Sequence, residues 1–153
     1  MFLFAQQQQR LAADAPDGAT LKASVRRRAT SIPWSSDVTD NKRTVEKYME
    51  GFRKSDHELI LSCLTDDIEW EMPGAFHLIG KKAFDKEIEN DAFVGSPTIT
   101  ITRTTEENDV VVAEGSVRTK RRAGGFLSAV FCDVFVMQRG KVKRLITYFA
   151  GVK

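Results

Sequence analysis

Cysteine and histidine are scarce in this chain, two of each among 153 residues. Cys63 and Cys132 lie far apart and each sits in an apolar run, so they read as buried free thiols rather than a disulfide framework. No Cys-x-x-Cys or His-x-x-x-His spacing occurs, and no zinc site or other metal is expected. A glycine-rich phosphate loop is missing as well, so no cofactor is expected. No apolar run approaches the roughly 20 residues that span a bilayer. A chain without membrane contact, located in the cytoplasm, is therefore expected. An excess of one charge is also lacking: 23 basic side chains stand against 21 acidic ones, for a net charge of +2. That balance leaves no nucleic-acid footprint. The length suffices for one domain with a real core.

What stands out is Asp133, in the middle of Ala129-Val-Phe-Cys-Asp-Val-Phe-Val-Met137, the most apolar stretch of the chain. Apolar residues fill both alternating faces of that run, as in a strand buried on both sides. A carboxylate there is costly unless it is paired, hydrogen-bonded or kept protonated. A cavity that uses the carboxyl compensates it, and so does a structural bond to a turn or an arginine. The strand context leaves both open.

Residues 1–39 differ from the rest. Gln6 to Gln9, an Ala/Asp/Gly/Pro stretch, Arg26 to Arg28 and a Ser/Thr/Pro stretch show no sustained periodicity, which reads as a disordered or loosely packed tail. Its opening Met-Phe-Leu-Phe-Ala is too short for a secretory core and has no basic residues before it. Arg27-Arg-Ala-Thr30 has the form of a basophilic kinase site, and Trp34 could dock the tail onto the domain.

The globular part, 40–153, begins near Asp40 as a helix cap. Val45, Tyr48, Met49 and Phe52 recur at helical spacing through Lys54. Ser55 is expected to cap a second short helix carrying Leu59, Ile60, Cys63 and Leu64. Asp67 to Met72 alternates as a strand that Pro73-Gly74 ends. A third helix is expected from Gly80 to about Ala92. Strands follow at Thr98–Thr104, Val110–Thr119, Phe126–Met137 and Val142–Phe149, separated by turns. This order predicts an α+β fold, with three N-terminal helices on one face of a curved mixed or antiparallel sheet that encloses a pocket. Val130, Cys132, Val134 and Val136 then lie on the outer face, and that apolar surface predicts a sheet-to-sheet homodimer.

Tyr48-Met-Glu-Gly-Phe-Arg-Lys-Ser-Asp56, Thr65-Asp-Asp-Ile-Glu-Trp-Glu-Met-Pro73, Gly80-Lys-Lys-Ala-Phe84 and Asp133-Val-Phe-Val-Met-Gln-Arg-Gly-Lys-Val142 come in an order that resembles the SnoaL-like branch of the NTF2-like, cone-shaped superfamily. The resemblance covers roughly residues 40–153. Members include ketosteroid isomerases, polyketide cyclases, limonene epoxide hydrolases, scytalone dehydratases and non-catalytic binding proteins, so fold alone does not set the chemistry. Ketosteroid isomerase uses a base together with an oxyanion hole of a tyrosine and a protonated aspartate. By this resemblance Tyr48 and Asp133 stand where that tyrosine and aspartate stand, while Met72 occupies the position of the base. The epoxide hydrolase pattern also breaks, because Thr147 stands where its last-strand aspartate is expected.

Other polar residues supply candidates for the missing base. If the hairpin at Ala123–Gly125 pairs in simple register, Glu114 lies opposite or nearly opposite Asp133, and Arg103 reaches Glu114 diagonally. An Arg103–Glu114–Asp133 stripe across the concave sheet is thus expected, as a proton-transfer site or as a structural ion network. A one-residue bulge would break it. His77, in the connection after the first strand, borders the pocket mouth by the resemblance, and its chemistry suits proton transfer near neutrality. Trp70, Met72, Phe76, Phe131 and Phe135 would line the pocket and suit an apolar small molecule, although core packing explains them equally. The function expected is proton-transfer chemistry on an apolar carbonyl compound by an isomerase, cyclase or dehydratase. The alternative is a non-catalytic ligand-binding or dimeric interaction module.

Overall fold

The structure is a computed structural model that describes residues 38–152. The tail expected over residues 1–39 falls, up to residue 37, outside the described part, and with it Trp34 and the Arg27–Thr30 motif. Helix α1 (Asp40–Lys54) starts at the N-cap Thr39, whose side chain accepts from the Lys42 amide. Its buried stripe of Val45, Tyr48 and Met49 follows the helical period. Arg53 and Lys54 in the last turn suit the negative end of the helix. Ser55 closes α1 in the left-handed conformation (φ 55°), and Asp56 caps α2 (His57–Ser62) by accepting from the Leu59 amide. The cap expected at Ser55 thus falls one residue later. The two helices meet closely at Gly51, where an added Cβ would lie 2.6 Å from Ile60 Cγ1.

Strand β1 (Leu64–Met72) turns back into a short strand β2 (Phe76–Ile79), then α3 (Lys81–Asp85) follows. Strand β2 occupies what the sequence pattern presents as a plain connection. Helix α3 is shorter than its expected extent to about Ala92. Two further turn bonds, Glu87 N to Phe84 O and Ile88 N to Asp85 O, continue past it. The Asn90 side chain then accepts from the Ala92 amide, a local bond that competes with helix and releases the chain. Four long strands complete the fold: β3 (Phe93–Glu107), β4 (Val110–Arg121), β5 (Phe126–Gln138) and β6 (Lys141–Gly151).

The six strands form one sheet in the order β2-β1-β6-β5-β4-β3. Strand β1 runs parallel to β6 and every other neighbouring pair is antiparallel. Register shifts in β3, β6 and the β1–β6 pair mark bulges, which bend strands and curve the sheet. The concave face receives α1 and α3. There Tyr48 meets Phe52, Phe84 and Phe135 at ring-centroid distances of 5.0, 6.3 and 5.3 Å, and Trp70 stacks on Phe84 at 4.6 Å. Ile60, Leu64, Ile68, Val111, Val142 and Leu145 complete the buried core around them.

Candidate active-site cavity

Strand β5 alternates strictly. Ala129, Asp133, Phe135 and Met137 are buried on the concave side, while Val130, Cys132, Val134 and Val136 turn outward. Asp133 therefore enters the interior, beneath α1, with Ala113 beside it on β4 and Thr147 on β6. It lines a cavity of about 100 Å³ together with Tyr48, Trp70, Met72, Phe131 and Thr147. Of the residues expected to line a pocket, Trp70, Met72 and Phe131 do so. Phe135 is fully buried against Tyr48, and Phe76 packs edge-on against Trp70 at 5.0 Å. These two belong to the packed core around the cavity rather than to its lining.

Burial decides the electrostatics. The Asp133 carboxyl is pushed up to about 7, because an apolar surround disfavours its charged form, while its hydrogen bond with Thr147 acts in the opposite direction. Trp70 Nε1 donates to Thr147 Oγ1 at 3.0 Å. That bond occupies the oxygen as acceptor and leaves the hydroxyl proton for Asp133. The carboxyl oxygen Oδ1 is buried without a hydrogen-bond partner. Burial also holds the Tyr48 phenol well above its ordinary range, with the neighbouring Asp133 charge adding to the effect. Tyr48 is thus a neutral donor throughout the physiological range.

The expected Arg103–Glu114–Asp133 stripe does not form. Glu114 pairs with Cys132 and Ala113 pairs with Asp133, so Glu114 and Asp133 point to opposite faces. The reason is the hairpin loop, in which Arg121 N bonds Gly125 O and the flanking pair is Lys120 with Phe126. In β3 the register shifts between Ile101 and Arg103. This bulge turns Arg103 outward, away from the face of Ile99 and Ile101. Arg103 and Glu114 do meet, at 2.7 Å, as an exposed ion pair on the convex side.

His77 is also placed outside. It belongs to β2 opposite Glu71, and its Nε2 lies 3.5 Å from Glu69. Period-two alternation puts it on the face away from Trp70 and Met72. The acidic cluster of β1 is distributed among cations: Asp66 with Lys81 at 3.0 Å, Asp67 with Lys143, and Glu71 with Arg144 at 2.7 Å. His57 bonds Asp85 at 2.6 Å and so ties α2 to α3.

Thr147, Phe149, Thr119 and Ile99 also line the cavity, although the sequence pattern does not mark them as part of a site. Alternation in β6, with Leu145, Thr147 and Phe149 on one face, was the signal available for two of them. A second and larger cavity of about 370 Å³ adjoins the first, and Phe52, Pro97 and Thr119 belong to both walls.

A family of proteins described as the SnoaL-like domain matches this chain over residues 45–145. Several solved structures share its fold. TerC co-crystallised with polyporic acid is 23% identical over 73% of this chain and 92% of that one, with a TM-score of 0.66. An LEH-like epoxide hydrolase of M. tuberculosis is 20% identical over 74% and 85% of the two chains, with a TM-score of 0.66. An NTF2-like protein of unknown function from Burkholderia pseudomallei is 19% identical over 73% and 92%, with a TM-score of 0.66. Identities this low carry the fold and not the chemistry. No curated protein matches the sequence.

Proposed function

The chain belongs to the SnoaL-like domain family, and on that premise we propose that it moves a proton on an apolar carbonyl compound held in the concave cavity. The observation that carries this reading is Asp133: a carboxyl at the wall of an apolar cavity, titrating near 7, with one oxygen unpartnered. Of the described side chains lining that cavity, Asp133 is the one that changes charge near neutrality. With His77 and Glu114 on the convex face and Met72 at the position of the isomerase base, proton transfer falls to Asp133 itself.

Its carboxylate takes the proton from the carbon next to the carbonyl, and the resulting acid returns it to another carbon of the conjugated system. No net proton is gained or lost. Tyr48 donates to the oxygen on which enolate charge develops, in a site poor in water. Thr147, fixed by Trp70, sets the orientation of the carboxyl. An acid–base group of this kind supplies about 10²- to 10⁴-fold of rate.

Met72 supports a second reading, a pocket that binds the same class of ligand without turning it over. Substituted phenols of graded acidity separate the two, together with loss of deuterium from the α-carbon of cyclic enones. Wild-type protein that binds phenols and exchanges deuterium, with Asp133→Asn failing to exchange, supports catalysis. Phenol binding without exchange in either protein leaves the binding reading. The outer face is proposed to pair with a second copy. Val112, Val134 and Ile146 form a cross-strand apolar row there, bordered by the Arg103–Glu114 and Arg144–Glu71 ion pairs.

A further inference from the structure

The geometry points to a two-part ligand: a flat apolar ring system in the inner cavity, joined to a neutral polyhydroxylated arm, such as a sugar, in the outer cavity. The inference rests on the reading of Asp133 above and extends it to substrate class. The inner cavity, about 100 Å³, is smaller than the roughly 300 Å³ at which small-molecule sites begin. The outer one reaches about 370 Å³ and shares a wall with it. A ligand of ordinary size that touches Asp133 therefore extends into the outer cavity. The distance agrees. Thr119 stands at the junction, and Ala113, the cross-strand neighbour of Asp133, lies six positions away along β4. That separation is about 20 Å at the strand rise, which calls for an elongated ligand rather than a single ring.

The character of the wall changes along this path. The inner lining is largely apolar, whereas the outer one carries Glu89, Asp91 and Arg122 with the hydroxyls of Ser55 and Ser96. Arg122 is braced, since its Nε donates to Asp91 O at 2.7 Å and its backbone amide to Ala92 O at 2.8 Å. Among the described residues its terminal amino groups have no partner, and a braced donor loses little freedom on binding. The Ser55 and Ser96 hydroxyls lie 3.2 Å apart at the same rim. A charged arm of either sign would meet a like charge in this chamber, from the two carboxylates or from the guanidinium. Hydroxyl groups both donate and accept, so a polyol satisfies carboxylates and guanidinium together. Phe52 and Phe93 in the same wall offer apolar surface to the C–H face of a sugar ring.

Calorimetric titration of the full chain with naphthalene-2,6-diol and with its monoglucoside tests this. The glucoside is expected to bind at least tenfold more tightly than the diol. Arg122→Ala and Ser96→Ala are each expected to reduce that gain while leaving diol binding unchanged. Diol binding without a gain from the sugar overturns the two-part ligand and leaves the reading of Asp133 standing. A gain of equal size from a carboxymethyl or an aminoethyl arm overturns the choice of a neutral arm. Binding of the glucoside that is unaltered in Arg122→Ala and Ser96→Ala, both folded by thermal melting, overturns the assignment of the arm to this chamber. Failure of both ligands to bind overturns both readings.

Discussion

Trp70 Nε1 and Thr147 Oγ1, on the adjacent strands β1 and β6, share a buried hydrogen bond of 3.0 Å that links the wall of the cavity to its carboxyl. The bond fixes which way the Thr147 hydroxyl can donate, and Asp133 is the recipient. Thr147 is thereby held between the indole of the cavity wall and the Asp133 carboxyl.

Removing that hydroxyl has a defined signature. Thr147→Val leaves the indole N–H without its acceptor and Asp133 without its donor, a cost of about 1–3 kcal/mol in a buried site. Because the Thr147 bond acts to lower the Asp133 titration, its loss moves that titration further up. Thr147→Ser restores both. Chemical denaturation gives the stability change, and infrared titration of the carboxyl gives the shift.

The pH dependence of folding follows from Asp133. Its pKa lies at about 7 when folded, against an ordinary 3.8. Between these values the unfolded chain has released the proton and the folded chain retains it. Stability from this group is therefore full below about pH 4 and is lost as pH rises to about 7, by about 4 kcal/mol in all at 1.36 kcal/mol per unit. Asp133→Asn does not titrate, so wild type minus variant isolates the slope. A difference in unfolding free energy that stays constant from pH 4 to 7.5 would contradict the assignment.

Gly115 offers a steric test. A Cβ built there would lie 2.3 Å from Thr100 O and 2.8 Å from Phe131 Cζ. Neither the paired β3 backbone nor the Phe131 ring can yield without cost, so Gly115→Ala destabilises by about 1–3 kcal/mol. Displacement of Phe131, which lines the inner cavity, also weakens phenol binding. Thermal melting and calorimetry on the same sample read both effects.

The convex face provides a fourth prediction. Val134→Glu places a charge in the middle of the Val112–Val134–Ile146 row. Wild type sediments as a dimer at micromolar concentration and the variant as a monomer, with its fold retained by circular dichroism. A wild type that sediments as a monomer refutes the proposed pairing.

The sequence by itself determined the first helix to within its cap, because the spacing of Val45, Tyr48, Met49 and Phe52 has no other regular reading. It determined the four long strands and their turns, and it marked Asp133 through the cost of a carboxylate in an apolar run. It also determined which residues of β5 share a face, since alternation within one strand is local, while the face that turns inward was decided by the helices packed on it. The relation between strands was settled only by the tertiary structure. The loop Arg121–Gly125 and the bulge between Ile101 and Arg103 set which residues of β3 and β4 share the face of Asp133, and they placed Arg103 and Glu114 on the far side. A strand repeats every two residues, so a single residue of slip reverses every side chain. No local pattern around Glu114 encodes that count. The same holds for Thr147, whose role exists only because folding brings Trp70 and Asp133 to either side of it.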